Sequence, residues 1–204
     1  MRARHKNWAL PYLKDHPDIV FFEAQETKSF LSEGPAYLEI GSGKGDFAIS
    51  YSDKGGSFLA LERESNVAAV LAKKIVESEK KNVRLLVGDF DVCYEGLKDY
   101  KFDLLFVNFP DPWPKKRHEK RRLTVASRLK LMVSLLKDGG EIRFKTDSDD
   151  LYEFTKEQIE AAGLHLILDQ QDYSYDENND AMSEYERNFR SEGKTIHRIV
   201  FTKK

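Results

Sequence analysis

A single cysteine in 204 residues excludes any internal disulfide, so the chain suits a reducing compartment, and the cytoplasm is the expected one. Cys93 lies between a strand signal and a helix signal and fits there as small packing filler. No apolar run is long enough to span a bilayer, and the opening MRARHKNWALPYLKDHP lacks the apolar core of a secretion signal. No membrane partner is therefore expected. Cysteine and histidine nowhere cluster at metal-ligand spacing, so no metal is expected either. Internal repeats, low-complexity tracts and Gly/Ser linkers are also missing. Residues 1–204 accordingly read as one domain with a basic N-terminal extension over about residues 1–35. Monomer and homodimer both stay open.

What is present is a core-forming 40% of hydrophobic residues, 33% of charged residues and a net charge of −2. That near-neutral total hides a segregated pattern. Residues 157–186 contain no Lys or Arg, while Asp169, Asp172, Asp176, Glu177, Asp180, Glu184 and Glu186 all fall there. Positive charge gathers instead in the N-terminal arm and in residues 115–122, a distribution that speaks of a polyanionic partner.

Short apolar runs alternate with helical periodicity. AYLEIG (36–41), FLALE (58–62), VRLLVGD (83–89), FDLLFVNF (102–109) and GGEIRFKTD (139–147) predict strands buried on both faces. Residues 65–79, 91–99, 121–137 and 149–162 carry apolar side chains at helical spacing, and 165–170 and 195–203 predict two final strands. The alternation predicts an α/β fold: a Rossmann-like, mostly parallel central sheet with helices on both faces and a ligand at the strands' C-terminal ends.

EIGSGKGD (39–46) joins the first of the long strands to a helix, and its glycines permit a tight turn and close backbone approach to a ligand. A dinucleotide fingerprint wants a third glycine at the position of Asp46, and Glu39 before Gly41 would repel a pyrophosphate. A carboxylate there suits a cationic ligand with an amino-acid head. Glu62, ending the next strand, is placed for ribose hydroxyls, and Asp89, ending the third, for an adenine amine. Acids at three successive strand ends, around Gly41 and Gly43, fit S-adenosyl-L-methionine better than NAD.

The stretch NFPDPWPKKRHEKRR (108–122) places Asp111 between prolines and follows it with cations. Each proline fixes its own φ and drives its predecessor from the helical region, so Phe109, Asp111 and Trp113 are expected to be extended. Trp113 fits two roles, stacking on a flipped base or packing beneath the loop. The basic run reads as a phosphate-contacting surface, with Lys115, Lys116, Arg117, Lys120, Arg121 and Arg122 facing RNA and His118 among them as an RNA or solvent contact.

The glycine loop and its acids resemble those of class I methyltransferases. The proline-bracketed Asp-Pro-Trp with its basic run, together with FKTD (144–147) and SEYE (183–186), is similar to the bacterial tRNA (guanine-N7)-methyltransferase family, in the family's order, from about residue 36 onward. The resemblance implies tRNA as partner, S-adenosyl-L-methionine as cofactor and methylation of the variable-loop guanosine at tRNA position 46. It implies cofactor contacts from Glu39, Glu62, Asp89 and Asp111, with Asp111 also the catalytic acid. It further implies substrate contacts from Lys115, Asp147, Ser183, Glu184, Tyr185 and Glu186. Ser183 stands where the family usually has threonine, which keeps the hydroxyl. Read from the residues alone, Asp147 also fits a helix N-cap, and Ser183 and Glu186 the start of a helix. Two rival functions remain: methylation of an exocyclic amine, for which Asn108 would have to serve, and a non-catalytic RNA-binding module.

Overall fold

The computed structural model describes residues 7–31 and 34–204; the first six residues of the basic arm lie outside it. Eight strands form one sheet in the order β1-β4-β3-β2-β5-β6-β8-β7. In chain order they are β1 (Val20–Phe21), β2 (Ala36–Ile40), β3 (Ser57–Glu62), β4 (Val83–Val87), β5 (Phe102–Asn108), β6 (Leu136–Thr146), β7 (His165–Gln170) and β8 (His197–Thr202). Strands β1 to β6 pair in parallel, and β8 runs antiparallel between β6 and β7.

Side chains alternate along each strand, so one sheet presents two apolar faces. Leu38, Ile40, Leu59, Leu61, Leu105 and Val107 face a core shared with α4 (Phe90–Leu97), α5 (Ala126–Ser134) and α6 (Asp149–Ala161). Phe58, Ala60, Val83, Leu85 and Phe106 face the other, with α1 (Ala9–Lys14), α2 (Asp46–Tyr51) and α3 (Ser65–Glu77). The expected helices on both faces are therefore present. A seventh helix, α7 (Glu184–Ser191), lies in the acidic C-terminal region.

One expectation about these elements needs correction. The helix foreseen over 121–137 is shorter. Lys116–Arg121 form a 3-10 turn, α5 begins only at Ala126, and β6 starts at Leu136, which pairs with Phe102. Within the N-terminal extension, β1 adds to the sheet beside β4 and α1 packs on α3. Such a two-residue strand is too short for any periodicity to reveal.

Candidate active site

β2 ends at Ile40, and the chain turns through Gly41 to Lys44 into α2. The backbone N–H groups of Gly41 and Ser42 both donate to the Leu61 carbonyl, at 2.8 and 3.0 Å, folding the loop onto the end of β3. Gly43 has a φ of 55°, a left-handed conformation that glycine takes without steric cost. A side chain at Gly41 or Gly43 would meet no atom within 4 Å, so the space above the loop is open. At Gly45 an added Cβ would instead overlap Leu71 Cδ1, so glycine here lets α2 approach α3.

Beneath this loop sits Glu39, only 2% exposed. Its Oε1 accepts a hydrogen bond from Asn108 Nδ2 at 2.9 Å, across the neighbouring strand β5. Its Oε2 has no partner, and neither has Asn108 Oδ1. Burial pushes the Glu39 carboxyl up to about 7, against the opposing pull of its Asn108 hydrogen bond. Glu62 is also buried, but both its oxygens are engaged: Oε2 accepts from Gly43 N and Oε1 from Glu64 N, each at 2.9 Å. Burial raises its pKa, and those backbone donors oppose the rise. Glu62 thus braces the glycine loop as well as marking the strand end. Asp89 caps α4, accepting from Asp91 N at 3.0 Å.

Arg63, which the sequence did not single out, ties these acids to the proline arm. Its guanidinium lies 3.9 Å from Asp89 Oδ2 and 3.7 Å from Asp111 Oδ2. Asp111 is thereby placed beside Asp89 at the C-terminal end of the sheet, with 70% of its side chain exposed. The arm is not uniformly extended as expected: Phe109 and Trp113, two of the three residues before a proline, take φ values of 49° and 42°. Bulky residues in that region cost about 1–3 kcal/mol each and persist only where their surroundings enforce them. Here the enforcing contacts are visible. Phe109 N donates to Lys145 O at 2.8 Å, and its ring packs 5.7 Å from Phe189. Arg122 holds the far end, its guanidinium donating to Pro112 O at 2.9 Å and Trp113 O at 3.4 Å while lying over the Phe154 ring.

Arg122 therefore faces inward, 5% exposed, and not toward RNA as expected. Prolines leave the arm's carbonyls without ladder partners, and a buried guanidinium supplies the missing donors. The remaining basic residues stay outside. Lys115, Lys116, Arg117 and Lys120 are exposed, with no ion pair or side-chain hydrogen bond among the described residues. Arg121 lies 5.1 Å over the Trp113 ring, and His118 meets the same ring edge-on at 5.7 Å.

At the far side of the same sheet end, Asp147 follows β6 and lies 3.4 Å from Lys194 Nζ. Ser148, not Asp147, caps α6, accepting from Leu151 N. Ser183 caps α7, its Oγ accepting from Glu186 N at 3.1 Å. Glu184 pairs with Lys44 of the glycine loop at 2.9 Å, and Tyr185 is exposed. Glu186 corrects the sequence expectation of a substrate contact, because its side chain is wholly buried. Its Oε2 accepts from Lys145 Nζ at 2.6 Å and its Oε1 from Arg190 at 2.9 Å. Asp180 accepts from the same Lys145 at 3.0 Å. The signal was a lysine between Phe144 and Thr146 inside an apolar strand, which forces acids inward to meet it. With Arg187 reaching Asp46 at 2.9 Å, α7 is strapped across the glycine loop, the proline arm and the end of β6.

Among the described residues no helix is long and apolar enough to cross a membrane, and no group of three His, Cys, Asp or Glu could hold a metal ion. A doubly wound sheet with an open glycine loop and acids at its strand ends defines a methyltransferase. Residues 33–199 match the family model described as "Putative methyltransferase". Among solved structures, an antibiotic-related methyltransferase superposes with a TM-score of 0.65 at 15% identity, covering 88% of this chain and 94% of the other. A glycopeptide N-methyltransferase complexed with S-adenosyl-L-methionine superposes with a TM-score of 0.57 at 11% identity, over 98% of both chains. Those likenesses show the fold. A curated tRNA (guanine-N(7)-)-methyltransferase of Staphylococcus epidermidis is 38% identical over 208 residues, 98% of this chain and 96% of that protein. The chain belongs to the tRNA (guanine-N(7)-)-methyltransferase family.

Proposed function

We propose that the protein transfers a methyl group from S-adenosyl-L-methionine to N7 of a tRNA guanosine, the one at position 46 of the variable loop. The observation that carries this reading is Asp111, held exposed at the acid-lined strand ends and flanked by unpaired cations. Family membership supports it along nearly the whole chain.

The residues present fit the cofactor. A buried carboxylate oxygen and a buried amide oxygen stand without donors below an open glycine loop, as a cationic amino-acid head requires. Glu39 and Asn108 would hold that head, Glu62 and Asp89 the nucleoside, and the Gly41–Gly43 backbone would line the approach. When bound, S-adenosyl-L-methionine supplies an electrophilic methyl carbon. The chain's own task is then mild. Guanine N7 offers an in-plane lone pair and has no proton to lose, so no strong base is needed. Methylation leaves the purine cationic, and the Asp111 carboxylate, preorganised on its braced arm, stabilises that charge. The same carboxylate can accept hydrogen bonds from guanine N1 and the exocyclic amine. Lys115, Asp147, Ser183, Glu184 and Tyr185 would meet the substrate, while Lys116, Arg117, Lys120 and Arg121 form the proposed phosphate-facing surface.

Nucleoside mass spectrometry of unmodified tRNA after incubation with the protein and labelled cofactor should show 7-methylguanosine. N2-methylguanosine or N6-methyladenosine in its place would favour the amine-methylating rival. In tRNA titrations over a salt series, Lys116→Ala with Arg117→Ala should flatten the log–log slope by roughly 0.7–0.9 for each phosphate no longer neutralised. Arg122→Ala should leave that slope unchanged while lowering turnover, because it frees the arm and not the phosphate-facing surface. A slope change from Arg122→Ala equal to that of the exposed pair would contradict its inward role.

A further inference from the structure

Glu39 and Asn108 stand on adjacent parallel strands. Glu39 registers with Phe106, and Asn108, two residues further, shares that face. One bond joins them, from Asn108 Nδ2 to Glu39 Oε1 at 2.9 Å. The other two oxygens, Glu39 Oε2 and Asn108 Oδ1, are buried acceptors without a donor. An amide oxygen takes no proton near neutrality, whereas a carboxyl group does, and a protonated acid pairs with a primary amide through two reciprocal bonds. We propose that Glu39 and Asn108 form a proton-exchanging receptor for the cationic amine of the methyl donor: without ligand, a proton on Glu39 Oε2 faces Asn108 Oδ1. An entering ammonium group takes that proton's place, and the proton leaves to solvent. The inference rests on the methyl-donor reading above.

The surrounding charges agree. Burial drives the Glu39 carboxyl up to about 7, and Glu62 on β3 pushes in the same direction. The hydrogen bond from Asn108 on β5 pulls it down, as do Lys145 on β6 and the nearby hydroxyl of Ser42, which donates to the Glu39 main-chain carbonyl at 3.1 Å. Lys145 cannot hold Glu39 ionised, because its charge is already matched by Asp180 at 3.0 Å and Glu186 at 2.6 Å. A ligand ammonium brings what the site lacks: a full positive charge and three N–H donors, enough for both open oxygens.

Isothermal titration with S-adenosyl-L-methionine, in buffers of contrasting ionisation enthalpy, counts the protons. At about pH 6 close to one proton should be released per ligand bound. At about pH 8 the release from Glu39 falls close to zero, and net uptake of a fraction of a proton should appear instead, because the ligand's own α-amine is then partly neutral in solution and binds as the ammonium. Affinity should rise by roughly tenfold per pH unit toward 7 and then level off. Binding without proton release at pH 6 would overturn the inference. Absence of binding at either pH would instead sink the methyl-donor reading, and a ligand-free measurement then still decides about the proton. A carboxyl whose folded pKa stands above its unfolded value of 4.5 burdens the fold only as pH rises from 4.5 toward 7, and fully above 7. Glu39→Gln should therefore melt several degrees above wild type at about pH 8, and no higher than wild type near pH 4.5. An equal difference at both pH values would show that no proton resides there.

Discussion

Asp111→Asn should lower the rate of methyl transfer by about 10²-fold or more, the usual loss when a preorganised electrostatic group is removed. The substitution keeps shape and hydrogen-bonding reach but deletes the negative charge that meets the cationic purine. Little else should change. Asp111 is exposed, so the fold does not depend on it. The arm is fixed by Phe109 at one end and by Arg122 at the other, neither of which touches the Asp111 carboxylate. The substituted amide should consequently occupy the place of the carboxylate. Arg63, released from one acid, still has Asp89 at 3.9 Å. Single-turnover methylation at saturating cofactor and tRNA isolates the chemical step. A variant within threefold of wild type would remove Asp111 from catalysis and leave it a base-positioning contact at most.

Removing the ammonium at Lys145 should produce the largest stability loss, about 3–5 kcal/mol for Lys145→Ala. The reason is asymmetric. The ion cluster as a whole need not favour folding, since three buried charges lose their hydration and regain it only through one another. Deleting the single ammonium, however, leaves Asp180 and Glu186 buried side by side, each without the charged donor they share. Tyr173 still donates to Asp180 at 2.8 Å and Arg190 to Glu186 at 2.9 Å, which limits the damage but does not replace the central charge. Urea denaturation should show a lower midpoint with a similar slope, and the melting temperature should fall by roughly 6–20 °C. A loss under about 1 kcal/mol would mean that water reaches the cluster. Because the carboxylates belong to the acidic segment and its helix α7, the variant should also loosen α7 from the glycine loop.

The parallel strands were legible because burial on both faces writes a continuous apolar run, as in FLALE and FDLLFVNF. Glu39, Glu62 and Asp89 were legible because strand ends in this architecture converge on one edge of the sheet. Side-chain direction was not legible. Arg121 and Arg122 are neighbours in one basic run, yet one lies over the Trp113 ring and the other is buried among carbonyls. Nothing local separates them; the difference arises from Phe154, which waits on α6 to receive the second guanidinium. Glu186 misled in the same way, since an acid in an acidic segment looks solvated until the lysine it must neutralise is found forty-one residues away. The pre-proline rule excluded a helical Phe109 correctly. Tertiary contacts then selected the left-handed region over the extended one.

β8 occupies an interior position in the sheet although it is the last strand in chain order. Its neighbours β6 and β7 do not pair with each other; β7 is joined to the sheet through β8 alone. β7 can therefore find no ladder partner until β8 has been made. Leu166 is nearer to Phe201 in sequence than Ile142 is, so loop closure favours pairing β7 with β8 before the pair docks on β6. The β6 edge is closed only when the last strand of the chain arrives.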